Sequence, residues 1–255
     1  MTEPLASGLD DQAIMQMLNR QPGLKSQACG TVGVVSQELA RFSQFWIAFL
    51  GLVRPASTRF VFPQGMDVNA NYNRLVQNFE GDWLWIMGDD HVFLPDVLMR
   101  LLAHEVDVVV PLCLKRHAPF DPVVYSGEDG IDEESGLTMH RVARLPQKGL
   151  VEVYAAGSAG MLIRRHVLEA IDQPVFETSN GYQNEDLMFC RKVRDAGFRI
   201  WCDVETAIGH IGTFTVYPQW GGEELNRFVP VMDLGDGHPY PYLVPTEDEL
   251  MAVQE

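Results

Sequence analysis

From residue 31 to residue 112 the chain switches four times between short apolar, β-branched runs and longer stretches with helical spacing. Thr31-Val32-Gly33-Val34-Val35-Ser36 reads as a first strand. Leu39, Phe42, Phe45, Trp46, Phe49, Leu50 and Val53 then recur at the three-and-four spacing of one helix face. A second strand, Arg59-Phe60-Val61-Phe62, ends at Pro63 and Gly65. It is followed by an expected helix over 68–79 and a third strand, Trp83-Leu84-Trp85-Ile86-Met87. A helix over 95–104 and the run Val106 to Leu112 complete the series. Strands this continuously apolar are buried on both faces, which parallel strands with helical crossovers achieve. The expected class is α/β, with a mostly parallel central sheet flanked by helices.

Past residue 113 the pattern changes. Residues 126–138 are Gly-rich and acidic and read as an exposed loop. Short strands at 151–154 and 161–163 flank Gly157-Ser158-Ala159-Gly160, and a helix is expected over 165–171. A further helix opens at Asn184, carries Glu185 and Asp186 in its first turn, buries Leu187, Cys190 and Val193, and stops before Gly197. A strand over 198–202 and Gly209-His210 close the core. The expected organisation is an N-terminal extension over 1–27, a catalytic domain over 28–212 and a small C-terminal segment over 213–255.

The formal net charge of −16 disfavours a broad electrostatic footprint on nucleic acid or anionic membrane. The four cysteines (Cys29, Cys113, Cys190, Cys202) show no CxxC spacing and read as reduced thiols. The longest apolar run, Phe45 to Val53, is too short to span a bilayer, and no leader pattern precedes it. A cytoplasmic protein without an integral membrane segment is expected.

Chemistry is expected where Gly88-Asp89-Asp90-His91 leaves the third strand. Two carboxylates and an imidazole at the exit of a buried strand are costly unless they hold a metal or a charged ligand. Carboxylates suit Mg²⁺ or Mn²⁺, and Mn²⁺ also accepts imidazole. Glu185 and Asp186 have two readings: acidic residues that offset a helix dipole, or a general base. His210 alone reads as a core histidine. The small residues 155–160 either let a substrate approach the backbone or form a tight turn.

Taken in order, Asp89-Asp90-His91, Pro95-Asp96-x-Leu98, the stretch from Gly157 to Leu168 and Asn184-Glu185-Asp186-x-x-Phe189-Cys190 resemble GT-A glycosyltransferases. The resemblance is to the family 2-like group, with its short bacterial and phage members, and covers residues 30–212. It implies a Rossmann-like GT-A fold with a small acceptor-side extension, a nucleoside-diphosphate-sugar donor such as a UDP-sugar, and Mn²⁺ or Mg²⁺. The family's metal-binding Asp-x-Asp signature aligns Gly88 with its first acid and Asp90 with its second. A shifted register, Asp89-x-His91, resembles the motif of polypeptide GalNAc-transferases; Asp90 is the favoured ligand, with Asp89 and His91 as the alternatives. Asp186, next to Glu185, falls at the catalytic base of inverting members, and His210 at a third metal ligand. Ser36, the Gln64 to Asp67 segment and Asn73 fall where the family holds its nucleotide. The acceptor is left open among a glycan, a lipid-linked sugar, a metabolite, a protein and a modified DNA base. The alternatives are a sugar-1-phosphate nucleotidyltransferase and a non-catalytic binding protein of the same fold.

Overall fold

The computed structural model describes residues 29–36, 42–65, 67–131, 137–178, 184–212, 215–233 and 239–241. The expectations for 1–27, for Leu39 at the start of the first helix and for most of the segment beyond 233 lie outside them. The first half of the chain runs β1 (Cys29–Val35), α1 (Ser43–Leu50), β2 (Ser57–Val61), α2 (Val68–Asn78), β3 (Trp83–Gly88), β4 (His91–Phe93), α3 (Val97–Ala103) and β5 (Val108–Leu112). The second half runs β6 (Val124–Ile131), β7 (Thr138–Val142), β8 (Leu150–Val153), β9 (Ala155–Ala156), β10 (Met161–Arg164), α4 (Arg165–Ala170), α5 (Glu185–Asp195), β11 (Ile200–Ile211), β12 (Thr215–Trp220), α6 (Gly222–Leu225), β13 (Phe228–Asp233) and β14 (Pro239–Pro241).

The main sheet has the order β14-β13-β12-β11-β5-β10-β3-β1-β2. Strands β2, β1 and β3 are parallel neighbours, and β5 pairs parallel with β11. Between β3 and β5 the fold inserts β10, antiparallel to both, so these two apolar runs are separated by a strand from much later in the chain. Strand β3 shows why its run is unbroken. Leu84 and Ile86 face one core with Leu75 of α2, Val167 of α4 and Phe189 of α5, while Trp83, Trp85 and Met87 face another with Phe45 of α1 and Leu98 of α3. The result is a sheet covered by helices on both faces.

Two segments differ from expectation. The acidic stretch after 123 is a ribbon, β6 against β7, rather than a loop. Its residues are mostly exposed on both faces, so nothing selects the apolar alternation that marks a strand in sequence. The end of the chain, which shows little periodicity, extends the sheet as an antiparallel meander through β12, β13 and β14. The strand over 198–202 and His210 belong to one bulged strand, β11. Among the described residues no helix is long and apolar enough to cross a membrane.

Candidate active site

Strands β1, β2, β3 and β5 all end on one edge of the sheet, because they point the same way. Segments leaving that edge are where open α/β sheets bind ligands. Here they are Ser36, Pro63 to Gly65 with Asp67, Gly88 to His91, and Cys113 to Arg116.

At the exit of β3 the chain reverses into β4, which lies antiparallel on β11 and sets His91 opposite His210. The two imidazoles stack with centroids 4.6 Å apart and planes 17° from parallel. Asp90 Oδ1 is 2.9 Å from His91 Nδ1, while Oδ2 is 3.4 Å from His210 Nε2 and 2.9 Å from Arg116 Nη1. The Ile211 amide donates to the Asp90 carbonyl at 2.7 Å and locks this turn to β11. One ligand atom from each of His91, Cys113 and His210 lies within 4.8 Å of the others. Gly88, where the family pattern expects an acid, is needed here for space. A Cβ on it would fall 2.6 Å from Asp90 Oδ1 and 3.1 Å from His91 Nδ1, displacing the pair.

The charges in this cluster sustain one another. Burial alone would raise the Asp90 carboxyl, but the His91 charge and hydrogen bonds from His210 and His91 hold it well below the ordinary carboxylate range. Burial opposes charge on His91 as well, and Asp90 overrides it, pushing the imidazole up to about 10. His210 is shifted the same way, against burial, by Asp90 and Cys113. The Cys113 thiol, which burial would raise, is brought down to about 7 by the imidazoles of His210 and His91.

The second half of the site is built on α5. Asp186 Oδ1 accepts the Leu187 amide at 2.8 Å, so the side chain does cap its helix as expected. It also does more. Enclosure by the 157–160 turn, and then the neighbouring charge of Glu185, outweigh the amides of Leu187 and Ser158 and raise the carboxyl to about 7. Asp186 is half-buried, and burial likewise raises Glu185. The turn is fixed by the Trp85 indole, which donates to the Gly160 carbonyl at 2.9 Å, and by Tyr72, whose hydroxyl lies 2.7 Å from Ser158 Oγ. Burial raises the Tyr72 phenol, as do the charges of Glu185, Asp186 and Asp90, against the Ser158 hydrogen bond. Tyr72 therefore lies near enough to both carboxylate groups for their charges to act on it.

No family model matches the chain, and no curated protein matches it. Among solved structures, A197 from STIV superposes over 73% of this chain and 88% of its own, with a TM-score of 0.52 and 16% identity. TarS 1-349 from S. aureus matches over 68% of this chain and 57% of its own at a TM-score of 0.42 and 11% identity. The inositol-1-phosphate CTP transferase from T. maritima matches over 70% of this chain and 90% of its own at 0.40 and 10%. The first exceeds 0.5. The likeness is one of fold.

Of the residues expected to hold a nucleotide, Ser36, Gln64 and Asp67 come together. Ser36 is buried and bridges Gln64, its carbonyl accepts the Gly65 amide at 3.3 Å, and Asp67 caps α2 by accepting the Ala70 amide at 3.0 Å. Asp89 lies half-buried in the turn beside Asp90. Asn73 is engaged elsewhere. Its Nδ2 donates to the Phe176 carbonyl at 2.7 Å and its Oδ1 accepts the Phe176 amide at 3.1 Å, tying α2 to the segment that leads toward α5. Asn73→Ala leaves both backbone groups without that partner, which costs about 1–3 kcal/mol. The urea midpoint should fall with an unchanged m value.

Three site residues escape the sequence reading, Cys113, Arg116 and Tyr72, while Ser158 is singled out only as part of the small 155–160 run. Cys113 carried a usable signal, since it leaves β5 as Gly88 leaves β3, and parallel strands deliver their exits to one edge. Arg116 and Tyr72 carried none, because their partners Asp90 and Ser158 lie 26 and 86 residues away.

Proposed function

We propose that this chain is a glycosyltransferase of the GT-A type that moves a sugar from a nucleoside diphosphate to an acceptor hydroxyl. The observation that carries the reading is Asp186, a half-buried carboxyl raised to about 7 whose charge acts on Tyr72, as does that of Asp90 from the cluster it forms with His91, His210 and Arg116. A base is most effective when its pKa lies near the working pH, so this carboxylate suits removal of an acceptor proton. Ser158 and Leu187 amides orient it, and Glu185 raises its affinity for that proton.

On the opposite side of the reacting carbon, the donor diphosphate would lie over the strand exits. Arg116 offers it positive charge, and Ser36, the Gln64 to Asp67 loop and Asp89 line the place for the nucleoside. The cluster also fits a divalent cation. His91 Nε2 is buried without a hydrogen-bond partner, His210 stacks beside it, and Asp90 contacts both rings. His91 and His210 would hold the ion with Asp90 beside them; when bound, it neutralises charge on the departing diphosphate. Attack by the deprotonated acceptor from the Asp186 side displaces the diphosphate and inverts the anomeric carbon.

The test is a thermal-shift screen of UDP, GDP and their sugar derivatives with and without Mn²⁺. A ligand at 100 times its Kd adds about 2.7 kcal/mol of stability, equivalent to a rise in Tm of about 5–10 °C for a chain of this size. Stabilisation by none of them overturns the reading.

A further inference from the structure

The sequence expectation is Mn²⁺ or Mg²⁺ on Asp90, His91 and His210, but the donors that converge are the nitrogens of the two histidines and the sulfur of Cys113. His91, Cys113 and His210 each bring one ligand atom within 4.8 Å of the others, from β4, the exit of β5 and β11. The hydrogen-bond network shows which atoms are left for this role. His91 Nδ1 faces Asp90 Oδ1 at 2.9 Å and so carries the proton. His210 Nδ1 is 3.1 Å from the Leu114 carbonyl, which can only accept, so that nitrogen is also the donor. Neutral His91 therefore presents Nε2 as a bare lone pair, whereas His210 Nε2 lies 3.4 Å from Asp90 Oδ2 and gives up that contact when a cation takes its place. For His91 that atom is buried with no hydrogen-bond partner, a costly state that a cation relieves.

Asp90 has its own place in the arrangement. With Oδ1 on His91 Nδ1 and Oδ2 on Arg116, it acts on the ring from behind, as the carboxylate partners of metal-bound histidines do. A guanidinium on the same carboxylate also disfavours Asp90 as a direct ligand to a second cation.

We propose that His91, Cys113 and His210 form a three-ligand site for a borderline-soft divalent cation of the Zn²⁺ class, with Asp90 orienting His91 and one coordination position left open. Imidazole and thiolate select Zn²⁺ or Co²⁺ over Mg²⁺, which demands oxygen. Any part this ion takes in leaving-group departure rests on the glycosyltransferase reading; its binding does not.

The experiment uses tag-free, chelator-stripped full-length protein carrying Cys29→Ser, since Cys29 is exposed and supplies a competing thiol. Zn²⁺ is titrated against a chromophoric chelator, and Co²⁺ is followed by absorption. The expected result is one equivalent of Zn²⁺ and, with Co²⁺, a thiolate-to-metal charge-transfer band with the visible bands of a four-coordinate ion. Cys113→Ser should abolish the charge-transfer band, and Asp90→Asn should weaken Zn²⁺ binding about 10–100-fold. Mn²⁺ and Mg²⁺ in large excess should not displace Zn²⁺. Absence of the charge-transfer band in the Cys29→Ser protein itself overturns the proposal without relying on the folding of any site variant. So does Mn²⁺ binding as tightly as Zn²⁺. Nucleotide-sugar stabilisation without a zinc site sinks this proposal alone, and a zinc site without nucleotide-sugar stabilisation sinks the glycosyltransferase reading alone.

Discussion

If the proposed glycosyltransferase function holds, Asp186→Asn should lower the rate of sugar transfer by about 10²–10⁴-fold, the usual contribution of a positioned base, while the thermal shift given by the bound donor survives. Asparagine keeps the carbonyl oxygen that accepts the Leu187 amide but cannot take a proton. The pH profile follows from the same carboxyl. Its pKa is raised on folding to about 7, so the wild-type rate climbs as pH rises through 7 and then levels off, and the Asn variant loses that limb. Stability moves the opposite way. A carboxyl that holds its proton more tightly when folded stabilises the fold at low pH, and that contribution is lost as pH rises from the ordinary carboxylate range to about 7. Asparagine mimics the neutral form, so the variant should melt higher than wild type at pH 8 and close to it at pH 4. A product that keeps the donor's anomeric configuration would remove Asp186 from the base role.

Gly81→Ala has the largest expected effect on the fold. Gly81 has φ +91°, and a Cβ there would lie 2.4 Å from both the carbonyl carbon and the oxygen of Cys29, which are backbone and cannot swing aside. The same corner carries the Asp82 amide to the Cys29 carbonyl at 2.8 Å, the Arg165 amide to the Asp82 carbonyl at 2.9 Å and Arg165 Nε to the Gly81 carbonyl at 2.5 Å. Strands β1 and β3 and helix α4 are thus joined at one point. Left-handed strain and overpacking each cost about 1–3 kcal/mol, so the sum is on the order of 4 kcal/mol. For a chain of this size that lowers Tm by about 8–16 °C. A melting temperature within 2 °C of wild type, by the same conversion at most about 0.5–1 kcal/mol, would show that the corner relaxes freely.

The two layers of helix and the buried strands were legible because burial leaves a period in the chain. Phe45 of α1, Leu75 of α2 and Leu187, Cys190 and Val193 of α5 all lie inward as their spacing predicts. The β6–β7 ribbon and the β12–β13 meander were not legible for the same reason, since a ribbon exposed on both faces, or one built from Pro and aromatic residues, has little such period. The acidic cluster at 88–91 was found through its position after an apolar strand, and Asp186 through its place in an ordered set of motifs.

By itself the sequence determined the class of fold, the strand exit on which the candidate site lies and most of the acidic and histidine side chains gathered at that edge. It could do so because residue type and spacing report what a single element buries and what it leaves polar. Only the tertiary structure decided that β10 enters between β3 and β5, that His91 meets His210 across β4 and β11, and that Cys113 joins them. It also decided that Asp186 is raised rather than lowered at its helix start. Each of those outcomes depends on enclosure by segments remote in the chain, and local spacing carries no record of such partners.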